Sequence, residues 1–358
     1  MKKKYLNNKL IAIIIIFILI IMVFYAVFFT SNNQEDSSFS ILFLGDFMIG
    51  DAYTGPPNVP FENLKSMFEN KEDIIVNVET SITDRSTVAN PNKDYSYKIN
   101  ESIVKELMNN NINIFNLANN HLLDYGQDGF NDTIEIIEKN NLLYFGAGFN
   151  NTQARSGIIR IYPDTTKVGY LGYFEYRESY DTNYHFYAIE DASGVAELNN
   201  TNLEEDIPKL KQEADIVIVS LHIGGNYITS IYTGTIEFAH YAIDLGADAV
   251  IIHSPHIPLP VELYEGKPIF YSIGNFIFTT IGGFYRVDEE YHAGLGVEFI
   301  IKNKKINTVK IHPFKANNRE IAYHPSFLNH DEAIALYNKI ITQGIDAKIK
   351  GSTCIFTL

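Results

Sequence analysis

Ligand-type side chains stand directly after five short apolar runs of this sequence, at 41–44, 74–78, 114–117, 217–221 and 249–252. In chain order, the side chains that follow these runs are Asp46, Glu79, the group Asn119, Asn120 and His121, then His222, and finally the pair His253 and His256. Carboxylate, amide oxygen and imidazole groups together suit a pair of divalent ions. Such ions polarise a phosphoryl or carbonyl group and generate hydroxide near neutral pH. The pattern therefore predicts a metal-dependent site.

Each of these groups also has a purely structural interpretation. Asp46 follows a glycine, and an isolated Gly-Asp pair more often caps a turn. Glu79 and His222 are equally well explained as a strand-end carboxylate and a buried histidine. Function is favoured around His121, because three polar side chains after a strand offer little packing benefit, and for His253 and His256, which lie on a proline-containing turn. The occurrence of five such groups in order favours a site.

The elements that must position these residues alternate in type along the chain. Predicted strands at 40–44, 74–78 and 114–117 are each followed by a predicted amphipathic helix, at 61–70, 101–110 and 129–140. Further strands at 216–221 and 249–252 flank a predicted helix, and two hairpins follow, at 261–272 and 294–311. This order predicts an α/β domain, in which sites gather at the carboxyl ends of strands. We expect the domain to span 39–320, with a helical extension at 321–358.

Composition excludes several classes of function. The chain has 358 residues and a formal charge of −15, from 28 basic and 43 acidic residues, which argues against nucleic acid as a partner. Its single cysteine, Cys354, excludes an intrachain disulfide framework and a cysteine-ligated zinc site. The fingerprints of serine hydrolases, nucleoside triphosphatases and dinucleotide-binding dehydrogenases are absent from the sequence.

An uncharged apolar run at 10–30 is long enough to cross a bilayer as a helix. Four lysines precede it and acidic residues follow it, so we expect residues 1–9 in the cytoplasm, 10–30 in the cell membrane as a single-pass anchor, and the main domain outside. Residues 31–38 form a short polar tether. A cleaved signal peptide is the alternative, which the bulky residues at 24–30 disfavour.

Several motifs, taken together, resemble the poly-γ-glutamate capsule synthesis protein family, often called the CapA family. The resemblance covers about 40–280 and rests on Gly45-Asp46-Phe47-Met48, Asn77-Val78-Glu79-Thr80, Ala118-Asn119-Asn120-His121 with Asp124 shortly after, Ser220-Leu221-His222, Pro255-His256 and Ser272-Ile273-Gly274-Asn275-Phe276. That family is similar to calcineurin-like metallophosphoesterases. The resemblance therefore implies a four-layer α/β/β/α sandwich with metals at the strand ends.

The same resemblance implies roles for individual residues. The implied metal ligands are Asp46, Glu79, Asn120, His222 and His256, holding one or two divalent ions that could be manganese, iron, zinc or magnesium. His121 is implied as the phosphate-facing or proton-donating histidine. Further candidates for the site are His253, Asn119, Asp124 and Asn275. Asp124 could fix His121 or simply begin the next helix, and Asn275 could line the site or belong to a tight turn at Gly274.

Two positions differ from the usual family pattern. Ser254 stands where a histidine is expected, and Asn226 replaces a carboxylate. A shift of one residue would let His253 substitute, although its side chain is then expected to turn elsewhere.

These features leave three functions open. The first is a membrane-anchored extracellular component of capsule synthesis or export, within a complex that handles an anionic polymer. The second is a metal-dependent hydrolase of an envelope phosphoester or amide. The third is a non-catalytic scaffold with a degenerate metal site.

Five further residues could line a substrate groove, but surface packing is the favoured interpretation of them. They are Tyr95, Tyr97, Lys98, Arg177 and Tyr285.

Overall fold

The computed structural model describes residues 13, 15–23, 38–49, 59–280 and 282–358. The chain divides into two units, Met1–Ser38 and Phe39–Leu358. In the first unit, residues 15–23 are helical, apolar and exposed. Among the described residues, no helix has both the length and the apolar character needed to cross a membrane. Most of the predicted anchor at 10–30 lies outside the described residues, as do 1–9 and 31–37.

The second unit contains alternating helices and strands, as predicted. The helices are α1 Lys65–Phe68, α2 Glu101–Asn109, α3 Gly126–Lys139, α4 Asn151–Arg155, α5 Glu178–Tyr184, α6 Asn200–Glu213, α7 Thr233–Asp244, α8 Asn318–Ile321 and α9 His330–Ile340. The first ten strands are β1 Ser38–Met48, β2 Asp73–Val78, β3 Ser81–Ile82, β4 Lys98–Ile99, β5 Ile114–Asn116, β6 Leu143–Phe145, β7 Ala147–Gly148, β8 Ile158–Ile161, β9 Lys167–Glu175 and β10 Gly194–Val195. The others are β11 Glu197–Leu198, β12 Ile216–His222, β13 Ala249–His253, β14 Val261–Tyr264, β15 Lys267–Phe270, β16 Asn275–Phe278, β17 Ala293–Lys302, β18 Lys305–Lys315, β19 Lys348–Lys350 and β20 Thr353–Thr357.

Two large sheets form the frame of this unit. The first has the order β19-β20-β18-β17-β1-β2-β5-β6, with β16 also paired to β1. Its strands β1, β2, β5, β6 and β16 run parallel, whereas β17 to β20 are antiparallel. The second has the order β11-β9-β12-β13-β15-β14, with β8 on β9. The central strands of both sheets are buried on both faces, which explains their continuous apolar runs.

Three apolar cores arrange these sheets and helices in four layers. Between the sheets, the ring of Tyr170 packs against Phe43 and Phe145, with ring centres 6.1 and 6.0 Å apart. The outer face of the first sheet is covered by α2 and α3, through residues such as Val104. The outer face of the second sheet is covered by α6 and α7, through residues such as Leu203. The α/β expectation is therefore confirmed, with helices outside two packed sheets.

The C-terminal segment differs from the predicted helical extension. The expected helix is present as α9, and Asn329 caps it through a reciprocal pair with Glu332. Residues 348–357, however, form β19 and β20, and β20 pairs with β18 of the first sheet. Only Cys354 and Phe356 of β20 are buried, and such a short alternation gives a weak strand signal in the sequence. The segment is thus part of the domain.

A buried carboxylate on β17 stabilises the first sheet. Glu298 accepts hydrogen bonds from His312 Nε2 at 2.8 Å and Lys310 Nζ at 3.4 Å, and Lys71 Nζ lies 3.2 Å away. Burial alone would raise the pKa of the Glu298 carboxyl. The hydrogen bond from His312 and the charges of His312 and the two lysines outweigh burial and lower the pKa to about 2. A carboxylate whose pKa is lowered on folding stabilises the protein above its unfolded pKa, and this contribution disappears as the pH falls toward the folded pKa.

We expect Glu298→Gln to lower the free energy of unfolding by about 2 kcal/mol at pH 7, because the variant loses the charge that its three partners stabilise. The difference from the unchanged protein should shrink between pH 4.5 and 2. Urea denaturation at pH 7 and pH 3 measures both quantities. Glu72→Gln, at an exposed carboxylate, is the control and should change little. An equal difference at both pH values would contradict the assignment.

Candidate metal centre

The candidate ligands converge where the carboxyl ends of the two sheets meet. Asp46 lies near the end of β1, and Glu79 directly follows β2. His222 and His253 end the neighbouring strands β12 and β13, where they are opposite each other in register. His256 follows on the next turn. These five residues, here called the carboxylate–histidine cluster, are all at least 94% buried.

Asp46 is at the centre of this cluster. Its Oδ2 lies 3.1 Å from His256 Nδ1, and its Oδ1 lies 3.3 Å from His253 Nδ1. Glu79 Oε2 is 3.9 Å from His256 Nδ1. One ligand atom from each of Asp46, Glu79 and His256 lies within 4.8 Å of the others. This spacing allows the three side chains to hold one ion together.

The backbone around Asp46 explains how the side chain is aimed. The register of β1 shifts at Asp46 against both β2 and β16, and such a bulge re-aims side chains. A Cβ atom on Gly45 would lie 1.9 Å from the carbonyl oxygen of Gly274. Only glycine therefore permits β16 to approach this closely, with Asp46 N donating to Gly274 O at 3.0 Å.

Three buried polar atoms of this region, Glu79 Oε2, Asn120 Oδ1 and His253 Nδ1, have no well-formed hydrogen bond among the described residues, although His253 Nδ1 lies 3.3 Å from Asp46 Oδ1. Buried polar atoms are normally hydrogen-bonded, so each unpartnered atom requires an explanation. A carboxylate oxygen, an amide oxygen and an imidazole nitrogen are ligands that a divalent cation accepts. The residues present therefore fit the metal that the fold implies.

The electrostatics of the cluster support the same interpretation. Burial raises the pKa of the Glu79 carboxyl well above its usual value. Burial alone would also raise the pKa of Asp46, but hydrogen bonds and charges from His253 and His256 outweigh burial, so the pKa lies below its usual value. The pKa of His256 is reduced by burial and raised more strongly by Glu79 and Asp46, to about 9. Two buried carboxylates this close need compensating positive charge, which protons or a divalent cation can supply.

His222 and Asn120 complete the predicted ligand set. His222 Nε2 lies 3.9 Å from Glu79 Oε1, and burial lowers its pKa well below the usual value, so the imidazole is neutral and can ligate. Asn120 follows β5 and contributes the unpartnered oxygen described above. All five residues implied as ligands are therefore brought to one region.

His121 lies beside this cluster and is held by Asp124. Its Nδ1 is 2.7 Å from Asp124 Oδ2, and its Nε2 is 3.9 Å from Glu79 Oε1. Asp124 accepts a further hydrogen bond from Tyr97 N at 2.7 Å, and Lys93 Nζ pairs with its other oxygen. Burial lowers the pKa of His121 to about 4. The ring is therefore neutral at pH 7, with its Nδ1 proton donated to Asp124 and a free lone pair at Nε2.

The other sequence candidates have different positions. Asn275 Oδ1 lies 2.9 Å from His256 Nδ1, so Asn275 orients that ring. Asn119 donates to Val78 O at 2.8 Å and accepts from His121 N at 3.1 Å. These two hydrogen bonds connect β2 to the His121 turn, so the Asn119 side chain has a structural role.

Ser254 stands where a histidine is expected, and the backbone at this position has an unusual conformation. Ser254 has a φ of +98° and His256 one of +62°, and this turn directs both flanking histidines toward Asp46. Ser254 Oγ donates to Gly224 O at 3.3 Å, away from the cluster. The expectation that the one-residue shift turns His253 elsewhere is wrong, because the left-handed backbone compensates for it.

Sequence reasoning missed two residues as members of the site. Asn77 Nδ2 donates to Asp46 Oδ1 at 2.7 Å and lies 3.3 Å from His222 Nδ1. In the sequence, Asn77 stands out as an amide inside an apolar strand and as the first residue of the Asn77-Val78-Glu79-Thr80 motif, but neither feature assigns a role to it. Lys93 Nζ donates to Asn120 O at 2.7 Å as well as pairing with Asp124. Lys93 comes from the irregular loop before β4, where no pattern indicated a role.

A groove of about 800 Å³ opens from His121 and His256. Tyrosine and cationic side chains line it, among them Tyr95, Tyr97, Arg177, Tyr285 and Arg286. Four of the five residues that the sequence offered as groove candidates, Tyr95, Tyr97, Arg177 and Tyr285, line this groove, whereas Lys98 does not.

Comparison with known proteins decides the family. The family described as bacterial capsule synthesis protein PGA_cap matches residues 40–280. The chain belongs to this family. The PGA biosynthesis protein CapA of Bacillus subtilis is 30% identical over 249 residues, which are 68% of this chain and 64% of that protein. A probable polyglutamine synthesis accessory protein of Mycobacterium tuberculosis is 32% identical over 220 residues, 58% of this chain and 57% of that protein.

These matches extend over less than two thirds of the length of either relative. Among solved structures, a phosphatase from Mycoplasma pneumoniae superposes with a TM-score of 0.51 at 15% identity, covering 80% of this chain and 97% of that one. This likeness shows that the two proteins share a fold. The resemblance to the capsule synthesis family is thus confirmed.

We expect His256→Ala to weaken Mn²⁺ binding by more than about tenfold, because even partners of ligands are worth 10- to 100-fold in affinity. Elemental analysis of the full-length protein after equilibrium dialysis measures the bound metal. His324→Ala, at an exposed histidine, is the matched control and should keep its metal. Equal metal content in a folded His256→Ala variant, with folding checked by circular dichroism, would remove His256 from the ligand set.

Proposed function

We propose that this chain is a membrane-anchored extracellular component of poly-γ-glutamate capsule synthesis or export, and that it works with bound divalent cations. The observation that carries the proposal is the carboxylate–histidine cluster at the end of the groove, with its unpartnered donors Glu79 Oε2 and His253 Nδ1. Family membership and the names of the relatives support the pathway. The apolar run at 10–30 and the lysines before it support the placement.

The residues that would hold the cations are Asp46, Glu79, Asn120, His222 and His256, with His253 as a sixth donor. A cation bound there polarises a phosphoryl or carbonyl group placed against it. Asp46 and Glu79 supply the negative charge. Asn77 and Asn275 hold Asp46 and His256 in place through hydrogen bonds of 2.7 and 2.9 Å.

His121 is the residue placed to move a proton. Its Nε2 faces the cluster with a free lone pair, so it can take up a proton from a group bound there. Asp124 accepts from Nδ1–H at 2.7 Å and stabilises the positive charge that then forms on the ring. Lys93 neutralises Asp124 from the other side. After this step the imidazolium can donate the same proton to a leaving group.

This arrangement favours a second function within the same pathway, the hydrolysis of an envelope phosphoester or amide. The specific observation is the pairing of His121 with Asp124, because a scaffold would not need an oriented neutral imidazole beside a ligand set. The hydrolysed bond would lie between the cluster and His121 Nε2. The protein would then trim or release a polymer, with a synthesis or export complex as its partner.

In a capsule-forming strain that lacks its own copy of this gene, we expect the full chain to restore surface polymer. His256→Ala should restore none, because the cation site is lost, and residues 39–358 without the anchor should also fail. Immunostaining for surface poly-γ-glutamate, with protein amounts matched by blotting, measures the outcome. His324→Ala is the positive control.

Two results would count against the proposal. Full restoration by His256→Ala would leave the site without a role in the capsule. Full restoration by residues 39–358 would show that the anchor is not needed for the function.

A further inference from the structure

Two arginines have no carboxylate partner in the part of the chain that the structure describes, and both contact the same tyrosine. The sequence has six arginines. Four of them, Arg85, Arg155, Arg160 and Arg177, each donate to a carboxylate at 2.7–2.9 Å. Within the described residues, Arg286 and Arg319 have no such partner, and each guanidinium lies over the ring of Tyr285, with Cζ 5.3 and 5.9 Å from its centre.

Tyr285, Arg286 and Arg319, here called the Tyr285 platform, leave donors available for a ligand. A cation–π contact places no hydrogen-bond acceptor on the guanidinium, so it leaves the N–H groups available. Arg286 uses one donor, its Nε, on Tyr285 Oη at 3.1 Å. Tyr285 is 66% exposed, so a ligand can approach the platform from solvent. The remaining donors can bind an anion in bidentate geometry.

The platform is held on a fixed base. His292 Nε2 lies 3.0 Å from Phe284 O, directly before Tyr285. Asn318 Nδ2 donates to Thr280 O at 2.7 Å and also to Phe278 O, which ties the helix α8 that carries Arg319 to the segment leading to Arg286. Both arginines are thus positioned before a ligand arrives, which reduces the entropy lost on binding.

The platform lies on the same groove as the candidate metal centre. Tyr285 and Arg286 line it together with His121 and His256. The groove's volume of about 800 Å³ lies in the upper part of the range for ligand sites, so it can hold a ligand that reaches from the cluster to the platform. In a chain of charge −15, unpaired cations at this position mark a local preference for anions.

We propose that the Tyr285 platform binds the free α-carboxylates of an extended poly-γ-glutamate chain whose neighbouring residues reach the carboxylate–histidine cluster. This assignment rests on the proposed function for the identity of the polymer. Each of the two guanidiniums beside the Tyr285 ring can bind one carboxylate, which suits a polymer that carries one negative charge in each repeat. Arg286 and Arg319 are therefore specificity residues for a polymer and lie apart from the reacting groups.

The test measures binding of a fluorescently labelled γ-linked decaglutamate to the full-length protein by anisotropy. We expect the double variant Arg286→Gln with Arg319→Gln to weaken binding at least tenfold and to reduce its dependence on salt. Lys348→Gln with Lys350→Gln removes the same charge from exposed positions on β19 and should bind as the unchanged protein does. Metal content is measured on the same samples and should be equal in all of them.

Unchanged decaglutamate binding in the arginine double variant would overturn the proposal. The proposal would also be overturned, in favour of a phosphate-bearing polymer, if the arginine double variant lost binding of a polyphosphate of similar length but kept binding of decaglutamate. The unchanged protein could bind decaglutamate while holding no metal, and the arginine double variant could lose that binding. This result would support the platform and contradict the metal-dependent function. The two assignments can therefore fail separately.

Discussion

The burial of two carboxylates at one point is the constraint on which the rest of the site depends. Asp46 and Glu79 are each about 1% exposed or less, and both lie at the ends of neighbouring parallel strands. Their charge cannot be left uncompensated in a low-dielectric interior. The second sheet provides the compensation, because its strands β12 and β13 deliver His222 and His253 and the following turn delivers His256. The packing of the two sheets thus places the imidazoles against the carboxylates.

Amide side chains make this arrangement rigid. Asn77 donates to Asp46 and accepts from Asn116 and Asn119 at 3.1 and 3.3 Å. Asn119 continues the network to the backbone of Val78 and His121. Because Asn77 is itself held by Asn116 and Asn119, the network fixes the position of the Asp46 carboxylate before any cation binds. The same network explains why three asparagines are buried at the ends of apolar strands.

The sequence predicts the parts of this site that depend on local order. Asp46, Glu79 and His121 each follow an apolar run, and the parallel topology necessarily brings such positions to one edge. The direction of His253 depends on the left-handed backbone at Ser254, which no pattern announces for a serine. Lys93 acts through the fold of an irregular loop. The strands β19 and β20 bury two side chains, too few to set a period. Each failure concerns a contact decided by tertiary packing.

The distribution of charge reconciles an acidic protein with the anionic polymer that we propose as its ligand. Over distances longer than about 8 Å, salt screens the repulsion between exposed charges, so the total charge of −15 mainly affects the approach of a ligand. Binding depends on charges that the ligand touches. Four arginines pair with carboxylates, while Arg286 and Arg319 have no carboxylate partner among the described residues and contact the ring of Tyr285 instead. Because a cation–π contact uses no N–H donor, Arg286 keeps positive charge on the groove that leads to the candidate metal centre.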